Sequence, residues 1–373
     1  MNRILHVIGA MNRAGAETLI MNIYRQIDRK KIQFDFLVHT NKKADYDEEI
    51  LSYGGQIFRI KPFTGLNYFS YTKAVQKHLL DHPEHKIVHN HMTSTAYTVT
   101  KQAHRFNRYS IIHTHSQNFY SGLNHLGFKA LSFPLRFVGD YFLACSEEAA
   151  IETFGKRILN KDCYATLNNA INLSLYHCSN EEHLTAKVAA GFAGRPVFGH
   201  VGRFIPEKNH SFLLQTFSSL KQSLPDAVLL LAGRGPLEEN IKKQAINLGI
   251  SDSVIFLGIC NDVAKLLKVV DVFIFPSANE GLGLAAIEAQ AAGATCILST
   301  GVPDLASIVN SKRISLGRGA HTWAEIAVQA YKASSKTDRS AGSSAVSNAG
   351  FNIKDIVNQI SFLYNKAASI IAF

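Results

Sequence analysis

Glu280 and Glu288 stand eight positions apart around the turn Gly281-Leu282-Gly283-Leu284. The second glutamate falls in the Ala-rich run Ala285-Ala286-Ile287-Glu288-Ala289, built of strong helix formers. Just upstream, Val272-Phe273-Ile274-Phe275-Pro276 reads as a buried strand. The order is therefore strand, acidic loop, glycine turn, helix. N–H groups near Leu282, Gly283 and Leu284 become the unpaired donors of a helix start, a cradle for phosphate. Glu288, about a turn into the helix, can reach vicinal hydroxyls beside that phosphate. Glu280, before the turn, can hydrogen-bond a hexose. These residues suit a ligand carrying both a phosphate and sugar hydroxyls. The plainer alternative is a surface loop whose glutamates only favour the helix dipole.

A second group lies in Gly199-His200-Val201-Gly202-Arg203-Phe204-Ile205-Pro206-Glu207-Lys208-Asn209-His210. A strand ends at glycine, and Arg203 and Lys208 follow before a helix. Two cations at a strand's carboxyl end suit a diphosphate, Arg as a fork and Lys as a point charge. The loop Met11-Asn12-Arg13-Ala14-Gly15-Ala16-Glu17 follows the first strand but lacks G-x-G-x-x-G, so a dinucleotide fingerprint is absent. Gly15 at the helix start lets a ligand approach the backbone closely. His89-Asn90-His91 and His113-Thr114-His115 sit at strand ends. Residues i and i+2 of a strand share a face, so each pair offers two metal ligands, with no third evident. Packed, hydrogen-bonded histidines are the plainer alternative, and His115 stands out by its carboxyl-end position.

The elements that hold these residues alternate. Strands are expected over 3–9, 33–39, 56–60, 87–91, 110–114 and 141–145, with helices over 16–28 and 68–80. The rhythm repeats with strands over 197–201, 228–232, 254–257, 272–276 and 296–299, and helices over 210–224, 237–248, 262–269 and 284–292. Such βαβ alternation implies parallel sheets covered on both faces. At 373 residues, two domains are the natural expectation. The polar stretch 168–195 reads as the link, giving domains 1–175 and 176–350. A terminal segment, 351–373, carries an amphipathic helix over 352–370. The Ser- and Ala-rich stretch 334–350 reads as a mobile surface segment.

The formal net charge is +10, from 39 basic and 29 acidic residues. The basic residues are dispersed, which counts against nucleic-acid binding and leaves an anionic substrate or an anionic membrane face. Five cysteines without C-x-x-C spacing favour a reducing cytosol and argue against a disulfide framework or a cysteine zinc site. The start Met1-Asn2-Arg3-Ile4-Leu5-His6 reads as a first strand, with no hydrophobic signal region.

Together these residues resemble the retaining glycosyltransferases of family 4, and within them the bacterial capsule and exopolysaccharide branch. The family's E-x7-E stands here as Glu280 and Glu288. Its V-G-R-x-x-x-x-K-N stands as Val201-Gly202-Arg203 through Lys208-Asn209. Its N-terminal G-G-A-E turn appears as Ala14-Gly15-Ala16-Glu17, and the histidine closing the fifth strand looks like His115. The likeness runs from about residue 3 to residue 305.

The resemblance implies the GT-B fold: two doubly wound Rossmann-like domains facing across a cleft, with the C-terminal helix crossing back to the first. It implies sugar transfer from a nucleotide donor, a UDP-sugar by preference, with retention. Arg203 and Lys208 would hold the diphosphate, Glu288 the ribose and Glu280 the donor sugar. The turn Gly281-Leu282-Gly283-Leu284 would cradle phosphate, Gly15 would let the first loop close on it, and His115 would contact the sugar near the reacting carbon. The loop with Arg234 and Gly235 would lie near the base. No metal or other cofactor is implied. The expected partners are a nucleotide-sugar donor, a glycan or polyprenyl-linked acceptor and the anionic inner membrane face, with no nucleic acid, in the cytoplasm. Three departures stand out. Ala14 replaces the first glycine of the usual pair, Arg234 stands where relatives often carry an acid, and Asp304 stands where Glu is common. Two alternatives stay open: a UDP-sugar 2-epimerase of the same fold, and a nucleotide-sugar or nucleic-acid binding protein without turnover.

Overall fold

The structure, a computed structural model, describes residues 1–115, 123–260 and 262–371. The chain divides into two compact units. One holds residues up to Ile171 and again from Ile353; the other spans Asn172–Asn352.

The first unit is built on seven parallel strands: β1 (Asn2–Ile8), β2 (Ile32–Val38), β3 (Ile57–Arg59), β4 (Ile87–Asn90), β5 (Tyr109–Thr114), β6 (Tyr141–Ala144) and β7 (Tyr164–Thr166). Their order across the sheet is β3-β2-β1-β4-β5-β6-β7. The order reverses between β1 and β4, where open sheets of this kind hold ligands at the carboxyl ends. Every residue of β2 is buried, as a strand covered on both faces requires. The helix Gly15–Gln26 turns Leu19, Ile20 and Ile23 onto this sheet. The terminal helix Ile353–Ile371 buries Ile353, Ile356, Val357, Ile360, Leu363, Tyr364 and Ala367, a helical spacing. These side chains join Ile4, Leu19 and Phe34 in one core, so the end of the chain belongs to the unit that begins it.

The second unit has six parallel strands: β8 (Val197–Val201), β9 (Val228–Ala232), β10 (Val254–Gly258), β11 (Val272–Phe275), β12 (Thr295–Ser299) and β13 (Ser311–Ile314). Their order is β10-β9-β8-β11-β12-β13, with the same reversal, here between β8 and β11. Phe198, Phe217, Leu229, Ile274 and Trp323 form its core.

The structure corrects three sequence expectations. The short strands β7 and β13 were not foreseen: they are polar edge strands, Tyr-Ala-Thr and Ser-Lys-Arg-Ile, without an apolar run. The stretch read as a link contains the helix Asn180–Ala189, started by a reciprocal capping box between Ser179 and Glu182. Its signature, Ser179-Asn180-Glu181-Glu182, was present in the sequence. Lys187 and His183 of this helix bind the buried Asp271 carboxylate at 2.7 and 2.8 Å, and Asp271 also accepts from the Val197 N–H. The Ser- and Ala-rich stretch is likewise structured. It forms the helix Ala341–Asn348, with Val346 buried, and a Cβ on Gly342 would lie 2.2 Å from the Gln290 carbonyl oxygen. The buried Arg339 guanidinium donates to the Val270 and Ala292 carbonyls at 3.1 and 2.8 Å. Small residues were mistaken for a mobile segment when they are what permits close packing.

Candidate active site

At the carboxyl edge of the second sheet the loops after β8 and β9 lie directly on each other. The Gly202 N–H donates to Ala232 at 2.9 Å and the Phe204 N–H to Arg234 at 3.0 Å. Gly233 has φ +142°, and a Cβ there would sit 2.0 Å from the Gly202 carbonyl oxygen. On Gly235 it would sit 2.5 Å from that of Phe204. Only glycine permits this approach. The consequence is two exposed cations, Arg203 and Arg234, neither with an ion-pair partner among the described residues.

Lys208 ends the short turn Pro206–Lys208, and Asn209 follows with φ +53°. Its ammonium lies 4.8 Å from the centre of the Phe275 ring and ion-pairs with Glu280. The sequence suggested separate duties for these two residues, and the structure joins them. The cause is local. The Ala278 N–H donates to Glu207 at 2.7 Å and the Glu280 N–H to Gly301 at 3.1 Å, which pins the acidic loop between its neighbours. Glu280 therefore orients the lysine while still offering an acceptor.

The helix Leu284–Ala291 begins at Gly283, in the left-handed region at φ +81°, with no side-chain cap. The Leu284 and Ala285 N–H groups have no carbonyl within the helix to bond. Gln290, fully buried, fixes the helix to the next loop. It donates to the Ala306 carbonyl at 2.7 Å and accepts from Ile308 and Val309 at 2.8 and 2.9 Å. Glu288 sits one turn in and accepts from the Tyr176 hydroxyl at 2.7 Å. Burial pushes its carboxyl up to about 7, against the lowering effect of that hydrogen bond. Tyr176 in turn is pushed above the usual phenol range, first by its own burial and then by the Glu288 charge. Nothing in the sequence singled out Tyr176, which lies 112 residues away from its partner.

Gly15 and His115 belong to the first unit, at the carboxyl ends of β1 and β5. Gly15 opens its helix after the extended, uncapped Ala14. A Cβ on Gly15 would meet nothing nearer than Asn169 Nδ2 at 4.0 Å, so the protein's own packing does not require glycine there. His115 Nε2 is 2.8 Å from His91 Nδ1, and burial lowers its pKa to about 4, leaving a neutral ring. The two histidine pairs are joined by a residue the sequence reading passed over. His6 on β1 places Nδ1 2.9 Å from His91 Nε2, which supplies the third imidazole that seemed to be missing.

Residues 185–330 match the family model of the glycosyl transferases group 1. Over 370 residues the chain is 32% identical to the putative glycosyltransferase EpsF of Bacillus subtilis (strain 168), covering 97% of this chain and 96% of that protein. It is 25% identical over 301 residues to the capsular polysaccharide biosynthesis glycosyltransferase CapH of Staphylococcus aureus, 78% of this chain and 79% of CapH. Among solved structures, Anabaena HepE in complex with UDP and glucose superposes with a TM-score of 0.76 at 19% identity, covering 98% of this chain and all of HepE. The fold is that of the GT-B enzymes, and the chain belongs to the group 1 glycosyltransferases.

Proposed function

We propose that this glycosyltransferase moves the sugar of a UDP-sugar, with retention at the anomeric carbon, onto a lipid-linked glycan during assembly of a cell-surface polysaccharide. The observation that carries the proposal is the part-buried Glu288 carboxyl one turn below an uncapped helix start, with the exposed Arg203, unpaired among the described residues, at the same sheet edge. Ribose hydroxyls bind Glu288, phosphate oxygens bind the Leu284 and Ala285 N–H groups and Arg203, and Glu280 with Lys208 spans the sugar and the diphosphate. Negative charge grows on the diphosphate as the glycosidic bond breaks, and these fixed donors oppose it. Arg234 lies toward the base, Gly15 toward the phosphates, and His115 contacts the sugar. No metal takes part in the transfer. The relatives support the substrate class: HepE was solved with UDP and glucose, and an Escherichia coli relative is a galactosyltransferase using UDP-Gal and a GlcNAc-diphosphoundecaprenol acceptor.

The first unit supports peripheral contact with an anionic membrane from the cytoplasmic side. Phe133 and Phe137 are exposed large apolar residues beside Arg136, Lys156, Arg157 and Lys161. Each cation near an anionic surface contributes about 1 kcal/mol. No helix among the described residues is long and apolar enough to cross a membrane.

The test is an assay of the purified chain with UDP-, GDP- and ADP-sugars and a polyprenyl-diphosphate glycan, in anionic and in neutral vesicles. Acceptor-dependent release of UDP with a retained anomer is expected, faster on the anionic vesicles. A rearranged UDP-linked product formed without acceptor, or no reaction with any donor, sinks the proposal. Donor present at 100 times its Kd should also add about 2.7 kcal/mol of stability.

A further inference from the structure

Five histidines share one face of the first sheet: His6 on β1, His89 and His91 at the end of β4, His113 and His115 at the end of β5. His6 and His89 are direct register partners. The His89 and His91 ring centres are 4.2 Å apart, and those of His6 lie 5.1 and 5.2 Å from them. His6, His89 and His113 are almost wholly buried. Several of their ring nitrogens are enclosed yet meet no partner among the described residues: Nε2 of His6 and of His89, and both nitrogens of His113. A buried polar atom left unpaired costs about 1–3 kcal/mol, and a ligand on His89 Nε2 would relieve one of them.

We infer that His6, His89 and His91 form a binding site for a divalent transition-metal ion of the zinc class, held between the sheet and the terminal helix. One nitrogen from each ring lies within 4.8 Å of the others. Ring rotation closes that spread to the ~3.3 Å between donors around a tetrahedral ion. The surroundings favour this trio over His91, His113 and His115. Metal-bound imidazoles commonly have the second nitrogen held by a hydrogen bond. His89 has Nδ1 2.7 Å from the Tyr364 hydroxyl, which leaves Nε2 for the ion. His91 has Nδ1 2.8 Å from His115, which leaves Nε2, already 2.9 Å from His6 Nδ1. His113 has no such support on either nitrogen, whereas His6 lacks it only on Nε2 and has Nδ1 already beside His91. A purely imidazole set selects zinc, cobalt, nickel or copper and rejects magnesium and calcium. Three protein ligands leave a fourth position for water. None of the three ligands contacts a substrate in the proposed transfer; His91 also braces His115 through its Nδ1. Through Tyr364 the site ties the terminal helix to the sheet.

The test uses tag-free, chelator-treated full chain titrated with Co2+ and followed by visible absorption. One equivalent should give a tetrahedral cobalt band that Zn2+ displaces, and Zn2+ should raise Tm by several degrees. His6→Gln and His89→Gln should each weaken binding at least 100-fold. His82→Gln, in the separate cluster His82, Glu84 and His85, should leave it unchanged. Because the ligands are buried, circular dichroism must show that the variants fold. X-ray absorption on the zinc-loaded wild type gives an independent count, three imidazoles being expected. No band and no Tm shift up to millimolar metal, a band that survives in folded His89→Gln, loss of the band in His82→Gln, or an oxygen-only shell would each overturn the inference.

Discussion

At the carboxyl edge of the first sheet stand His91, His113 and His115, with His6 and His89 just behind, all held neutral by burial. At the same edge of the second sheet stand Arg203, Arg234, the Lys208–Glu280 pair and Glu288. Both sheets are parallel and reverse their strand order in the same way, so the scaffold does not account for the difference. The side chains placed on strand ends do. Neutral imidazoles, which donate and accept without net charge, suit sugar hydroxyls and metal ions. Fixed cations and free helix N–H groups suit a diphosphate. One architecture thus presents two edges of different chemistry.

The largest test of this contrast is to remove charge from the ionic edge. Arg203→Ala should lower kcat/KM for the donor by about 10² to 10³-fold, the usual scale for losing a fixed group that opposes transition-state charge. A loss under fivefold would break the comparison, because the edge would then not be holding the diphosphate.

Acid should separate the two units next. Among the described residues of the metal-free protein the pKa is lowered for seven histidines of the first unit, His6, His39, His78, His89, His91, His113 and His115, and for two of the second, His200 and His210. A lowered folded pKa means that the unfolded chain binds more protons. Stability is therefore present above about pH 6.5 and is lost as pH falls below it, by up to about 1.4 kcal/mol per pH unit for each such histidine. Trp323, the single tryptophan, lies in the second unit and reports on it alone. At pH 5 the ellipticity change in urea should precede the tryptophan change. Coincident transitions would count against the contrast.

Glu288 gives the opposite sign. Its folded pKa, near 7, is above the ordinary glutamate value, so the folded chain binds the extra proton. Its stabilising effect is complete below about pH 4.5 and disappears as pH rises to about 7. Glu288→Gln should therefore stabilise the free enzyme at pH 8, by at most about 3 kcal/mol, and remove that slope while losing donor affinity. Denaturant titrations at pH 5 and pH 8 measure both effects, and an unchanged slope would mean that burial does not raise this carboxyl. Tyr176→Phe should cost about 1 kcal/mol and push the Glu288 pKa higher still, because its hydrogen bond favours the ionised form.

Gly15→Ala should have the smallest effect on the fold. A Cβ there has open space, so stability should stay within about 0.5 kcal/mol. The donor KM should rise severalfold if a phosphate comes close to this backbone. An unchanged KM would remove Gly15 from the donor site.

Much of this was legible along the chain. The buried strands, the glycine turn before Leu284 and the order of the cations are local patterns, written in hydrophobic period and in residues that only certain backbones accept. The likeness to family 4 enzymes rested on such stretches, and the full-length relative agrees with it. The polar edge strand β13 and the helix Ala341–Asn348 were missed because their stability comes from neighbours, not from their own periodicity.

Composition and short-range spacing determined that this chain folds as two doubly wound units and carries the residue types of a nucleotide-sugar site. Tertiary structure alone decided which of those residues touch. Tyr176 reaches Glu288 across 112 positions, Lys208 meets Glu280 across 72, and His6 completes the histidine face across 85. Sequence spacing has no bearing on such contacts, which depend on strand order and register. Both are settled only when the sheets assemble.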